Sequence, residues 1–133
     1  LSLSLVMFDL DHFKQTNDKF GHLAGDYVLK ETCELIKNKM IRSQDALGRY
    51  GGEEFALLLR ETPLRIAVEV AERIRSTIEK HRFLFDEQSV PVTISMGVVS
   101  LDSTAKSPDA FIAMADKALY DAKNSGRNRV CVR

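Results

Sequence analysis

Ala46-Leu47-Gly48-Arg49-Tyr50-Gly51-Gly52-Glu53-Glu54-Phe55-Ala56-Leu57-Leu58-Leu59-Arg60 reads as two strand-like runs folded about a pair of glycines. Both glycines can take positive φ without steric cost, so Gly51-Gly52 predicts a tight hairpin between Ala46–Tyr50 and Glu53–Arg60. That places Glu53 and Glu54 beside a turn. On either side the pattern is helical. Upstream, Leu29, Cys33, Ile36 and Met40 give a helix over about Asp26–Met40 its buried stripe. Downstream, Leu64, Ala67, Val68, Ala71, Ile74 and Ile78 mark a second amphipathic helix.

Further out, Leu1–Asp9 alternates at Leu1, Leu3 and Leu5 and then runs apolar through Val6, Met7 and Phe8, as a strand entering a two-sided core does. Asp11–Asp18 reads as a short helix, and the pattern breaks at Gly21 and Gly25. Val92, Ile94, Met96 and Val98 alternate with Thr93 and Ser95 as a later strand. Ser107 is an N-cap with Pro108 at the first helical position, and Phe111, Ile112, Ala115, Ala118, Leu119 and Ala122 continue that helix until Gly126. Arg129–Val132 adds an edge strand. A hairpin set among strands joined by helical crossovers predicts an α+β fold, a central, mainly antiparallel mixed sheet flanked by helices and related to the ferredoxin-like split βαβ topologies.

The 133 residues are the size of one domain, with 44% apolar and 29% charged residues, a balance too apolar for a disordered chain. The longest unbroken apolar run, Ala110–Ala115, is six residues, whereas a spanning helix needs about 20. Nineteen basic residues balance nineteen acidic ones, so there is no broad positive field for nucleic acid or an anionic membrane. Any phosphate binding must be local. Cys33 and Cys131 have neither CxxC spacing nor clustered histidines, which argues against a zinc site or a disulfide framework and suits a reducing, cytoplasmic compartment. The chain opens at Leu1 inside an apolar run, without an initiator Met or a signal-peptide n-region, and is read as a domain spanning residues 1–133 of a longer protein, whose parent can still be membrane-anchored.

Asp9 ends the first strand and Asp11 follows two residues later. If that strand neighbours the hairpin, three or four carboxylates converge with Glu53 and Glu54, and their repulsion is relieved by a cation between them. Hard oxygen ligands with open positions suit Mg²⁺ carrying a nucleotide's phosphates; a solvated set of strand-end acids is the alternative. GxxxxGK[ST] and GxGxxG are both absent, so a Walker loop and a dinucleotide fingerprint are ruled out. Lys123 and Arg127, four residues apart near a helix end, can face one anion or simply complement the helix dipole.

Taken in order, these blocks resemble the GGDEF family, the diguanylate cyclases, over nearly the whole chain. Phe8-Asp9-Leu10-Asp11-His12-Phe13-Lys14, Asn17-Asp18, Phe20-Gly21-His22 and Gly25-Asp26 are similar to the family's opening signature, and Arg49–Phe55 to its hairpin in the GGEEF form. Thr93–Gly97, Ala115–Tyr120, and Ala122-Lys123 with Gly126-Arg127-Asn128 complete the set. The resemblance implies a nucleotidyl-cyclase-like palm in which two GTP molecules, one on each domain of a homodimer, condense into cyclic di-GMP and two pyrophosphates. It implies that Asp9, the Leu10 carbonyl and Glu53 hold Mg²⁺, for which Mn²⁺ would accept the same oxygen ligands. Glu53 is then the proton acceptor, and Glu54 supports a second metal or the incoming hydroxyl. Asn17 and Asp26 read guanine, since a carboxylate accepts from its N1 and N2 hydrogens and repels adenine's bare N1; a helix N-cap is the structural alternative for Asp26. His22 lies on the substrate side, and Lys14, Lys123 and Arg127 neutralise the β and γ phosphates.

Arg42-Ser43-Gln44-Asp45, ending five residues before the Gly51-Gly52 turn, is similar to the family's RxxD inhibitory site, where cyclic di-GMP binds as a feedback inhibitor. Arg73 would supply a second contact. The D-x-L-T-G-L-x-N-R pattern expected ahead of such a domain is absent, so an N-terminal helix is expected upstream of Leu1. Two rival readings share the same residues: a GTP or cyclic di-GMP receptor that signals without turnover, and an interaction module whose phosphate residues are relics.

Overall fold

A computed structural model describes residues 2–101 and 107–133. Its elements run β1 (Leu3–Leu10), α1 (Phe13–Phe20), α2 (His22–Lys39), β2 (Ala46–Gly51), β3 (Glu54–Arg60), α3 (Leu64–Lys80), β4 (Phe83–Phe85), β5 (Gln88–Val90), β6 (Ile94–Ser100), α4 (Pro108–Asn124) and β7 (Val130–Val132). Five strands form one sheet in the order β2-β3-β1-β6-β7. All pairings are antiparallel except β6 with β7. The α+β expectation with a mainly antiparallel mixed sheet holds. Leu1, the first residue of the expected opening strand, lies outside the described residues.

β1 is central, and both its faces are buried from Ser4 to Leu10. Val6, Phe8 and Leu10 join one core with Phe55, Leu57 and Leu59 of β3, Ile36 of α2 and Ile74 of α3. Phe8 and Phe55, opposite in register, stack at 5.2 Å between ring centroids. Leu5 and Met7 face the other way, into a second core under Phe111, Ala115 and Leu119 of α4. The sheet is thus covered by α2 and α3 on one side and by α4 on the other.

Several sequence expectations need correction. The strand read from Val92, Ile94, Met96 and Val98 alternating with Thr93 and Ser95 begins at Ile94, and despite that alternation Ile94 to Val99 are all buried, because β6 lies between β1 and β7 with α3 and α4 above and below it. Within it, Gly97 meets the backbone of α4; a Cβ there would stand 2.6 Å from the Ala115 carbonyl oxygen and collide with the Leu119 nitrogen. The hairpin turns at Gly52-Glu53 and not at Gly51-Gly52: Gly51 pairs with Glu54 as the last residue of β2, a register shift falls between Arg49 and Gly51, and only Gly52 takes positive φ, at 47°. α2 begins at His22, four residues before expected. Gly21, with φ 96°, ends α1 and starts α2, whereas Gly25 lies inside α2. Asp26 is therefore a helix-interior residue and not an N-cap. Ser107 does cap α4, its side chain accepting from the Ala110 N–H at 3.1 Å with Pro108 at the first turn.

The β4–β5 hairpin has no counterpart in the sequence reading. Its turn is Asp86-Glu87, both at positive φ (49° and 63°), and it lacks the Asn-Gly or Gly-Gly signal that marks such turns. Phe83 anchors it, packed edge-on against Tyr27 and His81.

Candidate active site

Register brings the acidic residues together. Asp9, the last residue but one of β1, lies opposite Glu54 on β3 and Ser95 on β6, so the condition that β1 neighbours the hairpin is met. Past the second core the apolar side chains of β1 give way to Asp9, and α4 runs overhead with Asp116 and Lys123, two turns apart on one face. Lys123 Nζ donates to Asp9 Oδ2. The other oxygen of Asp9, Oδ1, is buried and has no hydrogen-bond partner among the described residues. Burial is the main force raising the Asp9 pKa; the Lys123 ammonium opposes it, and the charges of Glu53 and Asp11 add to it. Glu54 is pushed up further, to about 7, by burial and by the neighbouring Asp9 and Asp116 carboxylates, with Lys123 again opposing. Glu53 sits half-buried in the turn. Arg49 braces that turn, its Nε donating to the Gly52 carbonyl at 2.7 Å.

Asp11 does not join this cluster as expected. Its carboxylate accepts from Thr93 Oγ1 at 2.7 Å, Ser95 Oγ at 2.6 Å and the Asn128 backbone N–H at 3.0 Å, which ties it to β6 and the segment after α4. No group of three or more His, Cys, Asp and Glu side chains among the described residues forms a ready cation cage. What remains is two carboxylates, Asp9 and Glu53, and the Leu10 carbonyl, with an unpartnered Asp9 oxygen in a repulsive acidic field. That donor set fits Mg²⁺, which keeps several waters and takes its other ligands from substrate phosphates.

The other predicted residues are distributed around this corner. Asn17, on α1, packs its side chain against α2 where Gly25 leaves room, since a Cβ at position 25 would collide with Asn17 Oδ1; that oxygen is buried and unpartnered among the described residues. One residue further along, Asp26 is exposed and lines a cleft between α2 and the hairpin with Leu29, Cys33, Arg49 and Phe55. The structure therefore brings Asn17 and Asp26 to the same end of α2. His22 opens α2 and Lys14 lies in the first turn of α1, both exposed. Lys123 is on Asp9, and Arg127 Nη1 stands 3.9 Å from Asp11 Oδ1, so both cations sit against the strand-end acids.

The RxxD residues form a separate corner. Arg42 binds Asp45 through Nε (3.1 Å) and Nη2 (2.8 Å), and Nη2 also donates to the Arg60 carbonyl and to Thr62 Oγ1. The Asp45 side chain is 3% exposed while that of Arg42 is 48% exposed. Burial disfavours the ionised form of Asp45, yet the Arg42 bonds hold its carboxyl below the usual range. Arg73 reaches across from α3 to the Met40 carbonyl at 3.2 Å, two residues before Arg42, so the structure gathers all three residues at one end of α2.

Sequence reasoning missed four contributors. Asp116 and Lys123 share a face at i, i+7, a spacing that was legible, but Asp116 was assigned no role. Thr93 and Ser95 were read only as the polar half of a strand, and Asn128 only as part of a motif.

The family described as "Diguanylate cyclase, GGDEF domain" matches residues 1–129. Diguanylate cyclase A of Treponema denticola is 46% identical over 129 residues, covering 97% of this chain and 34% of that protein. Diguanylate cyclase DgcP of Pseudomonas aeruginosa is 41% identical over 128 residues, covering 96% of this chain and 19% of that protein. The chain thus spans about a third or less of these curated relatives. Among solved structures, the active GGEEF domain of a Vibrio cholerae diguanylate cyclase superposes with a TM-score of 0.90 at 37% identity, covering 98% of this chain and 82% of that one. The GGDEF domain of DgcB from Caulobacter crescentus in complex with c-di-GMP gives 0.91 at 30% identity, covering 98% and 77%. With the fold, the hairpin and the strand-end carboxylates in agreement, the chain belongs to the GGDEF family of diguanylate cyclase domains.

Proposed function

We propose that this chain is one catalytic half of a diguanylate cyclase, which meets a second copy to condense two GTP into cyclic di-GMP and two pyrophosphates. The observation that carries the reading is the buried, unpartnered Asp9 oxygen beside Glu53 and Glu54, an uncompensated acidic site of the kind a cation relieves. Asp9, the Leu10 carbonyl and Glu53 would hold Mg²⁺, which when bound neutralises triphosphate charge and polarises the phosphoryl oxygens. Asn17 and Asp26 bind the guanine and orient the nucleotide along α2. Lys14, Lys123 and Arg127 draw the β and γ phosphates toward the end of α4, and Lys123 leaves Asp9 as it takes up phosphate. The 3′-hydroxyl oxygen of one GTP forms a bond to the α-phosphorus of the other, the bond to pyrophosphate breaks, and Glu53 accepts the hydroxyl proton. The same exchange in the opposite sense closes the ring. Glu54 orients the incoming hydroxyl, and His22 flanks the substrate.

Feedback belongs to the same reading. Arg42, with its half-exposed guanidinium, binds product at the RxxD corner with Arg73, and Asp45 reads guanine once Arg42 releases it.

The test is the intact protein, or this chain fused to a constitutive dimeriser, incubated with GTP and Mg²⁺ and followed by chromatography and mass spectrometry. Cyclic di-GMP should form, and Glu53→Gln should lower its rate about 100-fold or more. Undiminished product from that variant sinks the assignment of Glu53, and GTP binding without product from the unaltered protein favours a receptor.

A further inference from the structure

Beyond α4 the backbone passes through three consecutive residues of positive φ: Gly126 at 131°, Arg127 at 64° and Asn128 at 47°. Glycine adopts this region freely and asparagine tolerates it, but an arginine there costs roughly 1 kcal/mol or more and persists only where its surroundings enforce it. Part of the enforcement is the helix end, where the Arg127 N–H donates to the Ala122 carbonyl at 2.9 Å. Arg129 Nε adds a bond to the Arg127 carbonyl at 3.1 Å, and the remainder falls on Asn128. Its backbone N–H donates to Asp11 Oδ2, its side-chain oxygen accepts from Arg75 Nη1 at 2.8 Å, and its amide donates to Glu79 Oε2 at 2.8 Å. Both ends of one short side chain are thus held by α3.

Arg75 is itself fixed. It is forked onto Glu72 at 2.9 and 2.6 Å, bonded to Glu79 Oε1 at 3.0 Å, and its side chain is only 15% exposed. A planar guanidinium held by two carboxylates gives Asn128 a donor that does not wander. Arg127 is therefore pinned on both sides, by the end of α4 and by this dock, with its guanidinium near Asp11 and on the same corner as Lys123.

We propose that Asn128, clasped by Arg75 and Glu79, is a positioning residue that fixes Arg127 for contact with the substrate's polyphosphate, making α3 part of the binding apparatus. The proposal rests on the GTP reading above. Its effect is confined to the phosphate end of the ligand, because Asn17 and Asp26 stand on α1 and α2 and share no hydrogen bond with the clasp.

Calorimetry on the intact protein with 3′-deoxy-GTP and Mg²⁺ reads binding without turnover. Asn128→Gly keeps the positive-φ backbone and removes both side-chain bonds; it should weaken binding about tenfold. In an Arg127→Gln background the same change should cost less than about twofold, because its action passes through Arg127. GMP, which lacks the β and γ phosphates, should bind equally well with or without Asn128. If Asn128→Gly does not fold, Glu79→Ala removes one arm of the clasp from an exposed position and should give about a threefold loss with the same dependence on Arg127. Equal losses for GMP and 3′-deoxy-GTP, an undiminished loss in the Arg127→Gln background, or no loss at all would overturn the proposal. Binding of the analogue by a protein that makes no cyclic di-GMP would sink the catalytic reading and leave this one standing; no binding by the unaltered protein ends both.

Discussion

Asp9 and Asp11 stand two residues apart at the end of the same strand, and their surroundings are opposite. Both oxygens of Asp11 are filled by neutral donors, two hydroxyls and a backbone N–H, with the Arg127 guanidinium 3.9 Å away. Asp9 has one cation, two acidic neighbours and an oxygen with no donor among the described residues. A carboxylate whose acceptors are filled by its own fold is a structural part; one left open in a repulsive field is ready for something brought from outside. Whole-residue burial barely separates them, since Asp9 is 8% exposed and Asp11 7%. Hydrogen-bond completeness does.

The largest effect should come from Asp9→Asn: cyclic di-GMP formation falls at least about 100-fold while the melting temperature holds or rises, because the burial and repulsion that raise the Asp9 pKa outweigh its ion pair with Lys123, and the Asn oxygen can still accept from that ammonium. A variant that melts early instead erases the distinction between the two acids. Asp11→Ala should do the reverse, stranding the Thr93 and Ser95 hydroxyls and the Asn128 N–H at a cost of about 3–5 kcal/mol, which denaturant titration will show as a lower midpoint with an unchanged slope.

Next in size is a dependence on pH. The folded-state pKa of Glu54, about 7, lies above its ordinary 4.5, so the folded protein holds more protons than the unfolded one between those values. Stability is then greatest below about pH 4.5 as far as this group is concerned, and falls as pH rises through about 7. Asp9, also raised, adds in the same direction. Thermal melts from pH 5 to 8 should show the decline, Glu54→Gln should flatten it, and millimolar Mg²⁺ should restore stability at pH 8 if a cation fills the gap at Asp9. A decline unaffected by either treatment would place its origin elsewhere. Ser95→Ala is the smallest change, removing one of three donors from Asp11 for about 1 kcal/mol with catalysis intact; a large loss of activity would mean that Asp11 takes part in the chemistry after all.

The contrast also marks what the sequence could tell. β1, the hairpin, α3 and α4 follow from periodicity and from Ser107-Pro108, all signals carried within a few residues. The approach of Asp9 to Glu54 follows once β1 and β3 are neighbours. The bonding of Asp11 does not, because its donors lie 82, 84 and 117 residues away along the chain. Gly25 misled for a related reason: it is small to admit the side chain of Asn17 and not to turn the chain. The Asp86-Glu87 turn escaped because left-handed backbone on two acidic residues is imposed by the strands it joins and by the anchoring of Phe83. Within the candidate site, the acids beside the turn are legible in the residues themselves and Asp26 and Asn17 only through the family resemblance, while Arg75, Asp116 and Asn128 acquire their meaning only from helices that pack beside distant strands.

Gly97 acts as a height gauge. With backbone resting on backbone, α4 lies as low over β6 as a helix can, and Asp116 and Lys123 are carried at a fixed altitude above the strand ends. Any side chain at position 97 would act as a shim, tilting α4 by roughly an ångström, a displacement large enough to cost about 100-fold when catalytic groups must meet. The gap between Lys123 and Asp9 would then open through a residue that touches neither.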